Sequence, residues 1–172
     1  MAIYALGDLI PQIDPTAFVH PDAVVIGAVL IGPLASIWPG TVLRGDNSRI
    51  VVGAETSIQD GAVLHCTAEL ETIVGERCVV GHLAHLEGCH VSDDALIGSG
   101  AVVLHRAVVH SWALVGAGAV VPNDFDVPTG ALAIGIPAKL RLGAADRALI
   151  SDSAAHYVEK CRRYRAEMRR ID

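Results

Sequence analysis

VSDDALIGSGAVVLHRAVVHSWALVGAGAVVPNDFDV, residues Val91–Val127, decides the fold. Val91, Ile97, Val103, Val109, Val115, Val121 and Val127 recur every six residues without a break. A small side chain follows four residues after most of them, at Ala95, Ala101, Ala107, Ala113 and Ala119. Helices repeat near 3.6 residues and open strands at about 2, so a strict hexad fits neither. It fits a hexapeptide β-helix, in which each unit is one short strand and a bend. Three units close a triangular coil, with the branched residue inside and the small one filling the narrow space beside it. The expected fold is therefore an all-β solenoid, a left-handed parallel β-helix of hexapeptide repeats.

Outward from this stretch, the repeat runs upstream through Val19, Val25, Ile31, Ile37 and Leu43, then Val52, Ile58 and Leu64, then Val74, Val80 and Leu86. A patch at 47–50 adds three residues, a loop at 67–72 carries Glu69 and Glu71, and Val91 arrives one residue early. Residues 1–14 read as a lead-in strand and cap. Pro128 and Gly130 end the regular part, and Gly135-Ile136-Pro137-Ala138 reads as a final turn. From about Ala145 the period changes. Leu149, Ile150, Ala154, Tyr157, Val158, Cys161, Tyr164 and Met168 recur at three and four, the mark of an amphipathic helix. This predicts a β-helix domain with its cap over residues 1–143 and a C-terminal α-helix over 144–172, packed on a wall of the prism.

Composition sets outer bounds. The chain has 172 residues, 52% of them apolar, enough for one domain with a sizeable core. A net charge of −6 argues against nucleic acid and anionic membrane as partners. No signal peptide or membrane span is legible, and Cys66, Cys78, Cys89 and Cys161 form no Cys-x-x-Cys pair. Reduced thiols in a cytoplasmic protein are the expectation.

The register places side chains on walls. With Val19 on wall a, wall b holds Val25, Leu43, Leu64, Leu86 and Val103, and wall a holds Ile37, Ile58, Val80 and Ile97. The residue after each wall b anchor faces outward, which stacks Arg44, His65 and Glu87. The second residue after each wall a anchor stacks Asp60 and His82. Coils lie ~4.8 Å apart, so donors on neighbouring coils can reach one ion through bonds of ~2.0–2.2 Å. His82 can join His65 only if wall a of one copy packs on wall b of another, as a closed three-fold ring permits. The plainer alternative makes Arg44 and Asp60 an interface ion pair without chemistry.

Trp38-Pro39-Gly40, Leu43-Arg44-Gly45-Asp46, Ile58-Gln59-Asp60-Gly61, Leu64-His65 and Val80-Gly81-His82 together resemble the gamma-class carbonic anhydrase-like proteins. The resemblance covers nearly the whole chain. It implies a homotrimer with a metal at each subunit interface, and reversible hydration of CO2 to bicarbonate by metal-bound hydroxide. His65 matches the first metal ligand and His82 the one supplied by the neighbour. The family's third histidine falls at Glu87, and Ser57 stands where many relatives have asparagine. Three outcomes are open: Glu87 ligates as a carboxylate, His85 swings into its place, or the site holds little metal. Two histidines and a carboxylate suit Zn2+, and also Fe2+ or Co2+. In the catalytic reading Gln59 hydrogen-bonds substrate or water, and Arg44, Asp46 and Asp60 fix the surroundings. A carboxylate ligand lowers the charge of the complex, which predicts weak hydration at neutral pH. The competing expectations are a non-catalytic trimeric scaffold or binding protein, and a hexapeptide-repeat acyltransferase with His65 as general base.

Overall fold

Short strands, most of two or three residues, follow one another around a triangular prism, with two longer ones, Val24–Ile31 and Val42–Val52, bending from one side to the next. The computed structural model describes residues 2–172. The chain is a left-handed parallel β-helix closed by one C-terminal helix. On wall b, Val25, Leu43, Leu64, Leu86, Val103 and Val121 stack in register. On wall a, Val19, Ile37, Ile58, Val80, Ile97 and Val115 do the same. Ile13, Ile31, Val52, Val74, Val91, Val109 and Val127 form wall c. These anchors and the small residues Ala95, Ala101, Ala107, Ala113 and Ala119 make a single core. Burying each branched anchor contributes about 1.5–3 kcal/mol, which is how so thin a prism stays folded.

The two interruptions lie where the spacing placed them. Gly27 faces Gly45 and Val29 faces Ile50, so Ala28 opposes residues 46–49. The second excursion leaves after His65 and rejoins at Thr72. The lead-in strand pairs onto the open end of the prism. Ala2–Tyr4 pairs with Val24–Ile26, and Gln12–Ile13 with Leu30–Ile31, so the lead-in segment is itself a coil. Its inward residues Ile3 and Ile13 stand ten apart and carry no hexad signal. At the far end the turn at Gly135–Ala138 is followed by Lys139–Arg141, which returns antiparallel along Leu132–Ile134.

The helix, α1, runs Arg147–Glu167, and the Asp146 side chain accepts from the Leu149 amide at 3.0 Å as its N-cap. It buries Ile150, Ala154, Val158 and Cys161, and packs on wall a of its own chain. Trp38 is the centre of that contact, 5% exposed, with Phe18, Tyr157 and Tyr164 around it. Its indole N–H donates to Ser57 Oγ at 2.9 Å and to Ser36 Oγ at 3.1 Å, which gives Ser57 a task in the helix dock. Arg165 donates to the carbonyls of Thr16 and Pro15 at 2.8 and 2.7 Å. Among the described residues, no helix is long and apolar enough to cross a membrane. All four cysteines are free and buried. Burial pushes the thiols of Cys78 and Cys89 up to about 12.

Candidate functional site

Wall b carries the predicted column. Arg44 lies beside His65 and His65 beside Glu87 in the parallel ladder, one coil each. Because all three follow an inward anchor, their side chains leave the same face. His65 Nδ1 lies 2.8 Å from Glu87 Oε1, and His65 Nε2 lies 3.1 Å from Asp46 Oδ1. Asp46 also accepts from the Arg44 guanidinium, so Arg44, Asp46, His65 and Glu87 form one continuous chain of polar contacts. Asp46 is the first of the four residues that oppose Ala28, one position ahead of the patch the spacing marked, and from there its carboxylate reaches the column.

The electrostatics follow from these contacts. Partial burial opposes ionisation of Glu87. Hydrogen bonds from His65 and His85, with the nearby charges of His65 and His105, outweigh it and hold the carboxyl below its usual range. Asp46 behaves alike: burial opposes ionisation, while Arg44 and His65 hold the carboxyl low. Both side chains are therefore carboxylates at neutral pH, ready to accept hydrogen bonds or meet a cation.

His82 and Asp60 occupy wall a as the register required. His82 Nδ1 lies 2.9 Å from Asp60 Oδ2, with side-chain exposures of 49% and 48%. The helix packs beside this pair, since the Asp60 charge joins burial in raising the Tyr157 hydroxyl pKa. It does not cover them. Gln59 is buried at 6% exposure, and its backbone carbonyl accepts from Thr41 Oγ1 at 3.0 Å. One chain thus assembles Arg44, Asp46, His65 and Glu87, and holds Gln59, Asp60 and His82 apart on another wall. His85 stands next to Glu87, its Nε2 3.3 Å from Glu87 Oε2.

Two residues escaped the sequence reading. Thr72 donates to the His65 carbonyl and accepts from the Gly88 amide at 2.8 Å, tying the 67–72 loop to the column. His105 places Nε2 3.8 Å from Glu87 Oε1. Its position, the second residue after anchor Val103, is the counterpart of the place that revealed Asp60 and His82 on wall a.

The donor chemistry suits a divalent cation, since two imidazoles and a carboxylate are a common ligand set for zinc. Bonds of ~2.0–2.1 Å in tetrahedral geometry set donors roughly 3.3 Å apart. The 2.8 Å contact of His65 with Glu87 must therefore open slightly to admit an ion. Among the described residues of one chain, no group of three histidine, cysteine or acidic side chains is arranged to hold a metal. His82 stands half exposed on the other wall.

Comparison with known proteins fits this picture. No family model matches the chain. It is 42% identical over 159 residues to gamma carbonic anhydrase 2, mitochondrial, of Arabidopsis thaliana, covering 88% of this chain and 57% of the plant protein. The chain thus spans little more than half the length of that relative. It is 41% identical over 146 residues to the carnitine operon protein CaiE of Escherichia coli K12, covering 85% of this chain and 74% of CaiE. Among solved structures, a hexapeptide transferase family protein from Anaplasma phagocytophilum superposes with a TM-score of 0.90 at 36% identity, covering 95% of this chain and 98% of that one. A perosamine N-acetyltransferase from Caulobacter crescentus superposes with a TM-score of 0.56 at 30% identity, covering 77% of this chain and 57% of that one. With the wall register and polar column in place, these likenesses show that the chain belongs to the gamma carbonic anhydrase-like family of hexapeptide-repeat β-helix proteins.

Proposed function

We propose that the protein catalyses reversible hydration of CO2 to bicarbonate at a centre shared between copies of a homotrimer. The observation that carries this reading is the split of one donor set over two walls: His65 and Glu87 on wall b, His82 exposed on wall a. Packing wall a of one copy on wall b of the next brings the three together. Zn2+ is the cation that suits this set best, with Fe2+ or Co2+ able to take the same donors. When bound, the cation supplies Lewis acidity for activating water at neutral pH.

The remaining residues orient and select. Asp60 Oδ2 lies 2.9 Å from His82 Nδ1, a charge contact on that side of the ring that leaves Nε2 as the ligand atom. Asp46 steadies the His65 ring, and Arg44 steadies Asp46. Gln59, next to Asp60, has the amide to hydrogen-bond a substrate oxygen. Val42 and Val63 pair beside the column on wall b and offer an apolar surface next to it for CO2. Buried free thiols suit a reducing, cytoplasmic setting. The test joins light scattering, zinc content and stopped-flow CO2 hydration on the full chain. A trimer with bound zinc and chelator-sensitive hydration is expected. A zinc-free protein with no such activity refutes the reading.

A second reading has its own support. A carboxylate on Nδ1 is the arrangement that lets an imidazole take a proton at Nε2; Glu87 sits there on His65, and the Asp46 carboxylate, 3.1 Å from Nε2, would have to yield that nitrogen to a substrate. The likeness to transferases supports acyl transfer with His65 as general base. Activity on an acyl donor that survives chelation would decide for it.

A further inference from the structure

We infer that His105 is a positioning residue for Glu87, the imidazole that keeps this carboxylate in place as a ligand. The inference rests on the metal reading above. Its first support is an orphaned atom. Among the described residues, His105 Nε2 is buried without a hydrogen-bond partner, a state native proteins avoid unless something else uses the atom. The carboxylate facing it is Glu87, with Oε1 at 3.8 Å.

The ring has little freedom to look elsewhere. It lies over Gly88, where a side-chain carbon would meet His105 Cδ2 at 3.1 Å and Leu70 Cβ at 3.0 Å. Gly88 has φ +59° and leaves the space that ring and loop share. The Gly88 carbonyl also accepts from the Arg106 amide at 2.7 Å, which anchors the corner carrying His105.

The demand for a donor comes from Glu87. Its Oε2 is met by His85 at 3.3 Å and its Oε1 by His65 at 2.8 Å. Were His65 and Glu87 both to hold a cation, Oε1 would lose its contact with His65. His105 is then the imidazole left facing Oε1, with His85 on Oε2, and a shift of roughly 0.9 Å turns its 3.8 Å contact into an ordinary hydrogen bond of about 2.9 Å. A histidine ligand at position 87 would offer no oxygen for His105 to hold. As a donor to a carboxylate ligand, the residue matters only while Glu87 is present.

The experiment is a double-substitution cycle read as zinc affinity, by competition with a chromogenic chelator on the full chain. His105→Phe keeps the ring and removes the nitrogens; it should weaken zinc binding tenfold to a hundredfold, the usual effect of losing a group that orients a ligand. His105→Gln, which restores a donor, should recover most of that loss. In a Glu87→His background, His105→Phe should leave affinity unchanged. Should the Phe variant fail to fold, as a thermal melt reports, His105→Leu takes its place in the cycle. Equal weakening in both backgrounds, or none in either, overturns the inference while leaving the metal reading intact. A wild-type chain that takes up no zinc overturns both.

Discussion

Gly53→Ala adds one methyl group where successive coils stack. A Cβ at Gly53 would lie 2.5 Å from the carbonyl carbon and oxygen of Gly75 and 2.7 Å from the amide nitrogen of Glu76. All three are backbone atoms of the next coil, so no side chain can swing aside. Relief requires the coils to part by most of an ångström, against ladder hydrogen bonds such as Gly53 N to Val74 O at 2.8 Å. Overpacking typically costs 1–3 kcal/mol, and the rigid neighbours place this case near 3 kcal/mol. For a chain of this size that is a fall in Tm of roughly 6–12 °C. Gly100→Ala is the control. Nothing lies within 4 Å of its Cβ position, and its φ of +66° is the only penalty. Leu34, Glu55, Leu83 and Trp112 hold φ of 56–63° elsewhere in the chain, so side chains tolerate that conformation here. The expected cost is about 1 kcal/mol, or roughly 2–4 °C. Both variants and the parent are to be melted by calorimetry at one concentration and scan rate. Equal losses, or a larger one for Gly100→Ala, would refute the claim that backbone stacking sets the limit at position 53.

Other consequences can be checked singly. Trp38→Ala should cost about 3–5 kcal/mol in guanidine unfolding and expose α1 to limited proteolysis, since the indole is the hub of the helix dock; an unchanged cleavage pattern would count against that role. The four buried thiols should resist a disulfide reagent in the native state and all react once the chain unfolds. Cys78 and Cys89 titrate near 12 when folded against about 8.5 when unfolded, so the unfolded chain holds fewer protons between those values. Stability is therefore complete below pH 8.5 and falls by about 1.4 kcal/mol per pH unit for each thiol above it, which denaturation at pH 7 and pH 10.5 would measure. Asp14 is held below its usual range by the Thr16 hydroxyl, the Thr16 amide and Arg165, so its contribution is present above the ordinary carboxylate pKa and lost as pH falls beneath it. Asp14→Asn should flatten the acid limb of a melting profile.

The hexad made most of the prism legible because the core admits one residue type at one spacing. Once Leu43, Leu64 and Leu86 were aligned, Arg44, His65 and Glu87 had to stack, and the ladder has them so. Asp60 over His82 followed by the same argument. The first coil was hidden because a loop bridged by Leu6 and Leu9 separates its inward residues. Asp46 reaches His65 from the residues that oppose Ala28, where period says nothing about direction. The dock of α1 depends on Trp38 and Ser57 facing out from wall a, and an amphipathic pattern reports that a helix has a greasy side without naming what lies beneath it. His105 was one register place away from the column that was read.

Every irregularity in chain length falls on one edge of the prism. From wall b to wall c, Leu43 to Val52 and Leu64 to Val74 run long, and Leu86 to Val91 runs short; the other two edges keep the hexad throughout. The molecule therefore has a seam that absorbs added or missing residues while two seams hold the count. A segment spliced in after His65 would bulge into solvent and leave Glu87 above its partner. The same segment spliced in after Ile58 or Val74 would have no slack to enter, and every polar group downstream would turn to face a different direction.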